Sequence, residues 1–161
     1  MKYNCPLLVV ESTSESRKFY EELFHLKVIA DFGENITFGD PDTHLPMFAL
    51  QSKTSWVDFI GKKAEDILLK SNGFELVFDE EDFDDFIVRL KEMPDYEPVH
   101  DIIEYPWAQR VIRFYDPSKH IIEVGESMVC IAKRFLASGL SAEETAKRIM
   151  HPVEFVQACI K

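Results

Sequence analysis

PWAQRVIRFYDPSKHIIEVGE, residues 106–126, carries two apolar runs rich in β-branched and aromatic side chains, Gln109–Tyr115 and His120–Glu126, on either side of Asp116-Pro117. Proline presets its own φ and an aspartate side chain can cap the amides that follow it, so Asp-Pro between two such runs predicts a hairpin turn. The turn has an earlier copy. FYDPSKH (Phe114–His120) and FGDPDTH (Phe38–His44) share the frame F-x-D-P-x-x-H, and each is flanked by strand-like segments. An internal repeat constrains a fold more than any single motif.

Working outward, the repeat extends toward the N-terminal side of each turn. In CPLLVVESTSESRKFY an apolar stretch, Pro6–Val10, precedes Ser12 and Glu15, whose spacing is that of a helix capping box, and Phe19, Tyr20, Leu23 and Phe24 form a buried stripe. In GFELVFDEEDFDDFIVRL a strand over Phe74–Phe78 leads to Asp79 as the expected N-cap, acidic residues in the first turn, and a stripe of Phe83, Phe86, Ile87 and Leu90. Each half therefore reads strand, helix, three strands. The later strands are expected near 27–32, 35–40 and 44–51, and near 97–105, 109–115 and 120–126. This is an α+β reading: a domain over 1–126 made of two βαβββ modules, about 4–52 and 71–126, with a partly helical connector over 53–70.

After Glu126 the character changes. The first 126 residues hold 13 basic and 26 acidic side chains, and the last 35 hold five and three. The segment 127–161 predicts helices over Val129–Ser138, from a second capping box at Ser141 and Glu144 to Ile149, and from Pro152 at a first helical position to Ile160. Ser141–Arg148 followed by Pro152–Cys159 is similar to a helix-turn-helix, but its second helix offers only Gln157 and Lys161 toward bases, with Glu154 of the wrong sign. A formal net charge of −11 also disfavours nucleic acid and anionic membranes. No apolar run approaches the roughly 20 residues of a membrane helix, and the start MKYNCP lacks a signal-peptide pattern, so the expectation is a cytoplasmic protein. Cys5, Cys130 and Cys159 form no CxxC pair, which argues against a disulfide framework or a thiolate zinc site.

Two βαβββ units with a D-P-x-x-H turn before the last strand of each resemble the vicinal oxygen chelate superfamily of glyoxalases, bleomycin- and fosfomycin-resistance proteins and extradiol dioxygenases. Pro106–Glu126 is similar to the closing hairpin of that family, with Ser118 and Lys119 in place of its usual Asp-Gly. The resemblance covers residues 4–126. It implies a β-cup with helices on its convex face, a small-molecule ligand inside and a homodimer. It also implies, in metal-using members, one ligand from each of four strands. Those positions fall on Cys5, on the strand bearing Met47, Ala49 and Gln51, on Gly73, and on Glu123. Only Glu123 keeps the expected carboxylate, and the set is poor for a divalent ion such as nickel, zinc, manganese or iron. A shifted arrangement using Glu75 keeps metal binding open.

Glu123 lies between Ile122 and Val124, so its charge needs a partner, and Arg113 on the neighbouring strand is the candidate. The pair is either a polar anchor for a ligand or a plain cross-strand ion pair. Trp107, in the loop ahead of the seventh strand, either stacks on a planar or cyclic ligand at the cup mouth or is a hydrophobic plug. His100 and Glu104, four residues apart on one strand, are expected to share a face, with His100 more readily a hydrogen-bonded rim residue than an acid or base. Cys5, beside Pro6 in an apolar strand, reads as an inert thiol rather than a nucleophile. Three functions follow: a metal-independent binder of a small organic molecule in which Arg113, Tyr115, Trp107, Gln51, Cys5, His100 and Glu75 line the site and Glu123 is the reactive carboxylate; a metal-dependent glyoxalase-type lyase or isomerase; and a ligand sensor acting through the helical tail.

Overall fold

A computed structural model of the protein describes residues 1–160, which fall into two compact units: 1–74 together with 116–120, and 75–115 together with 121 onward. The first unit contains β1 (Leu7–Val10), α1 (Thr13–Phe24), β2 (Lys27–Asp31), β3 (Asn35–Gly39), β4 (Pro46–Ser52) and α2 (Lys53–Ile60). Its strands lie in the order β1-β4-β3-β2, with β1 and β4 parallel and the remaining pairs antiparallel. Ser12 caps α1 as its spacing predicts, accepting from Glu15 N at 3.2 Å. The chain leaves the helix through His25 in the left-handed conformation, φ 55°.

Strand alternation sends Leu8, Val10, Ile36, Phe38, Phe48 and Leu50 to one face, where they are buried with Phe19, Tyr20 and Leu23 of α1. The Tyr20 ring lies 5.7 Å from Phe38 and 5.0 Å from Phe48, centroid to centroid. Tyr20 is fully buried, so its hydroxyl needs a partner, and it donates to Asp116 Oδ2 at 2.8 Å. Asp116 Oδ1 accepts from His120 N at 2.8 Å, Ser118 Oγ accepts from Glu11 N at 3.1 Å, and His120 Nε2 donates to the Val9 carbonyl at 2.7 Å.

The two D-P-x-x-H turns are therefore twins in sequence and opposites in structure. Asp40 is exposed and accepts from Asp42 N and Thr43 N, which hold its carboxyl below the ordinary range, whereas burial pushes the Asp116 carboxyl up. The left-handed residue also differs, being His44 at φ 56° in the first turn and Lys119 at φ 68° in the second.

The second unit contains β5 (Glu75–Glu80), α3 (Phe83–Glu92), β6 (Glu97–Glu104), β7 (Arg110–Tyr115), β8 (Ile121–Glu126), α4 (Met128–Ala137), α5 (Ala142–Ile149) and α6 (Val153–Ala158). Its order, β5-β8-β7-β6, repeats that of the first sheet. Asp82, not Asp79, caps α3, because β5 stays paired with β8 as far as Glu80 opposite Glu126. The buried stripe of Phe83, Phe86, Ile87 and Leu90 is as expected. Pro152 is the N-cap of α6 rather than its first helical residue, and the full reciprocal box forms at Ser141 and Glu144. Lys161 lies outside the described residues. No helix among the described residues is long and apolar enough to cross a membrane.

Replacing Tyr20 with Phe removes the donor to a buried carboxylate without changing the ring packing. Urea denaturation of Tyr20→Phe is expected to show a loss of about 1–3 kcal/mol; an unchanged midpoint would mean that Asp116 is satisfied without it.

Candidate functional site

In the second unit, α3 covers the sheet face bearing Ile112, Phe114, Ile122 and Val124, and the Phe86 and Phe114 rings meet there at 6.3 Å. The pairings Arg113 with Glu123, Tyr115 with Ile121, and Val77 with Glu123 put Glu75, Val77, Arg113, Tyr115 and Glu123 on the opposite face. Arg113 is the centre of that face. Its Nε donates to Glu75 Oε2 at 2.9 Å, its Nη2 to Glu123 Oε2, and its Nη1 to the Tyr105 hydroxyl at 2.9 Å. Burial opposes the charge of Arg113. The hydrogen bonds to Glu75 and Tyr105 and the Glu75 charge outweigh it and hold the guanidinium above its ordinary value.

His100 pairs with Arg113 in the ladder, and its Nδ1 lies 2.6 Å from the Asp101 carbonyl. A carbonyl only accepts, so Nδ1 carries the proton and the lone pair on Nε2 faces Arg113 Nη1 at 3.4 Å. This histidine completes the shell of the arginine. The expectation that His100 and Glu104 share a face does not hold: irregularities in the β6–β7 pairing put His100 opposite Arg113 and Glu104 opposite Arg110, which point to different sides.

Trp107 lies in the turn between β6 and β7. Its ring stacks on Tyr105 at 4.6 Å and 1°, and its Nε1 donates to Gln109 Oε1 at 2.9 Å. Gln109 in turn donates to the Glu126 carbonyl at 3.1 Å. A methyl at Gly125 would stand 2.6 Å from Gln109 Nε2, so the glycine makes room for that amide. Sequence reasoning missed Tyr105 and Gln109; the only signal was their position beside Trp107.

The remaining named residues belong to the first unit. Gln51 is buried, accepts from Asn35 Nδ2 at 3.0 Å and donates to Ser55 Oγ, so both ends of its amide are engaged. Cys5 is half-buried, and desolvation pushes its thiol up. That unit also has an open apolar hollow of about 270 Å³ beside Pro6, Leu8, Leu68, Phe74 and His120. It takes in none of the sequence-named site residues.

A family model described as a glyoxalase-like domain matches residues 3–129. The chain belongs to the glyoxalase-like family. No curated protein matches the sequence. Among solved structures, a protein of unknown function from Agrobacterium tumefaciens is similar at 30% identity and TM-score 0.64, over 79% of this chain and 94% of that one. A glyoxalase-related enzyme from Fulvimarina pelagi has 15% identity and TM-score 0.65, over 80% and 90%. A glyoxalase/bleomycin resistance protein/dioxygenase from Nocardioides has 18% identity and TM-score 0.61, over 78% and 83%. The last two likenesses are of fold. The glyoxalase-like match ends at residue 129, so most of α4 and all of α5 and α6 lie beyond it.

Gly125→Ala is expected to push Gln109 off the Glu126 carbonyl at a cost of about 1–3 kcal/mol. In a Trp56→Phe background, where Trp107 is the remaining tryptophan, its emission should shift to the red; an unchanged spectrum would show that Gln109 does not hold the indole.

Proposed function

We propose that this glyoxalase-like protein binds a small organic molecule against the sheet face centred on Arg113, without a metal ion, and that Arg113 and Glu123 orient the polar group of that molecule. The observation that carries the reading is the filled fork of Arg113. Two carboxylates meet one guanidinium there, leaving an excess of negative charge, which favours a ligand group that donates hydrogen bonds over an anion. Trp107, Tyr105 and Tyr115 supply aromatic surface for the rest of the molecule. The protein acts as a homodimer in the cytoplasm on this reading.

The donor chemistry supports a metal-free site. Gly73 offers no side chain, the amide of Gln51 is engaged at both ends, and burial keeps the Cys5 thiol protonated. Glu123 and Glu75 both hold Arg113, and a divalent cation taking either carboxylate would sit beside a guanidinium of like charge. The same engagement makes Glu123 a poor free base, which favours binding over proton abstraction.

Thermal melts with nickel, zinc or manganese should leave the midpoint unchanged, while a cyclic or aromatic compound from a screening set raises it. Arg113→Met should weaken binding of that compound at least about tenfold. A large stabilisation by one of the metals, or chelator-sensitive conversion of a hemithioacetal to a thioester that Glu123→Gln abolishes, would replace this reading with a metal-dependent lyase.

A further inference from the structure

The helices that follow the glyoxalase-like match are built onto the turn that carries Trp107. Ala108 is 1% exposed and shares one apolar cluster with Ile131 and Ala132 of α4, Ala146 and Ile149 of α5, and Val156 of α6. Its backbone takes φ 66°, a conformation that costs a residue with a Cβ about 1–2 kcal/mol and that glycine would adopt without that cost. The burial of the Ala108 methyl among the three helices offsets about 0.8 kcal/mol of that cost. The turn is thus held in a specific shape by the tail packed behind it.

A polar contact acts on the same turn. Arg148, in the last turn of α5, donates through Nη1 to the Pro106 carbonyl at 2.8 Å, and its Nη2 lies 3.6 Å from Glu104 Oε1. Its guanidinium rests over the Phe135 ring of α4 at 5.4 Å, which fixes it to the helical cluster. Pro106 stands between Tyr105 and Trp107. The Ala108 amide donates to the Tyr105 carbonyl at 2.8 Å and closes the turn. At its other end Tyr105 accepts from Arg113 through its hydroxyl. A continuous path of direct contacts therefore runs from α5 to the centre of the sheet face.

We infer that α4, α5 and α6 form a clamp on the β6–β7 turn, and that Arg148 is a positioning residue for Arg113, acting through Tyr105. Arg148 meets Pro106, Glu104 and Phe135; through them it sets where the Tyr105 hydroxyl and the Trp107 indole stand. The inference rests on the proposed binding reading only for its consequence, the shaping of a ligand site. Its test needs no ligand, so either idea can fail without the other.

The test is nitrogen-15 NMR on the full chain, following the Trp107 Nε1 and Arg113 Nε resonances. The guanidinium is planar, so Nε reports on the whole fork. Arg148→Ala should shift the Trp107 signal and raise the hydrogen exchange rate of Arg113 Nε about tenfold, the scale of one lost charge-assisted hydrogen bond. In a Tyr105→Phe background the same substitution should still move Trp107 and no longer change Arg113, a coupling that a purely structural role for Arg148 would not produce. Unmoved Trp107 or Arg113 signals in a folded Arg148→Ala protein would overturn the inference, as would an equal Arg113 response with Phe at 105. If Arg148→Ala does not fold, Arg148→Lys, with a charge but no fork, takes its place under the same readings.

Discussion

Arg113 leaves β7 on a sheet whose other face is a phenylalanine-rich core, and its charge is tolerable there because each edge of the guanidinium meets an acceptor: Glu75, Glu123, Tyr105 and His100. These acceptors come from β5, β8, the β6–β7 turn and β6. The strands β5, β8 and β7 must therefore hold their register for the fork to be filled, and a slip by one residue would send Arg113 to the α3 side. The polar chemistry of this face and the pairing of its strands are one constraint seen from two sides.

The same economy governs the closing hairpin. Residues 116–120 interrupt β7 and β8, strands of the second unit, yet they count with the first unit, where Asp116 serves as the buried acceptor for Tyr20 and His120 reaches the Val9 carbonyl. The earlier copy of the motif has no such duty and stays exposed. A duplicated motif can thus close differently in its two copies, with Asp40 N bonded to the Leu45 carbonyl and Asp116 N to the His120 carbonyl, while one copy becomes part of a core.

The helical tail is built onto the glyoxalase-like domain rather than trailing from it. The glyoxalase-like match stops at residue 129, yet the buried cluster of α4, α5 and α6 is built around Ala108, which lies inside it. The appended helices contact the turn bearing Trp107, so this protein has a feature at that position that the shared fold alone does not specify.

Local patterns determined a large part of this protein. Period-two alternation and the repeated Asp-Pro turn were enough for eight strands in two equivalent sets, because side-chain direction along a strand follows from chain geometry alone. The partnership of Arg113 with Glu123 was also legible, since an ionised carboxylate between Ile122 and Val124 needs a counter-charge on the neighbouring strand. What only tertiary structure decided were contacts between residues far apart in the chain: Tyr20 with Asp116, Arg148 with Pro106, and Ala108 with the tail. The face of His100 belongs with these, because an irregularity in pairing shifts the alternation and no residue in the sequence announces it. The capping of α3 by Asp82 was hidden among several acids of equal merit, and the length of the β5–β8 ladder chose between them.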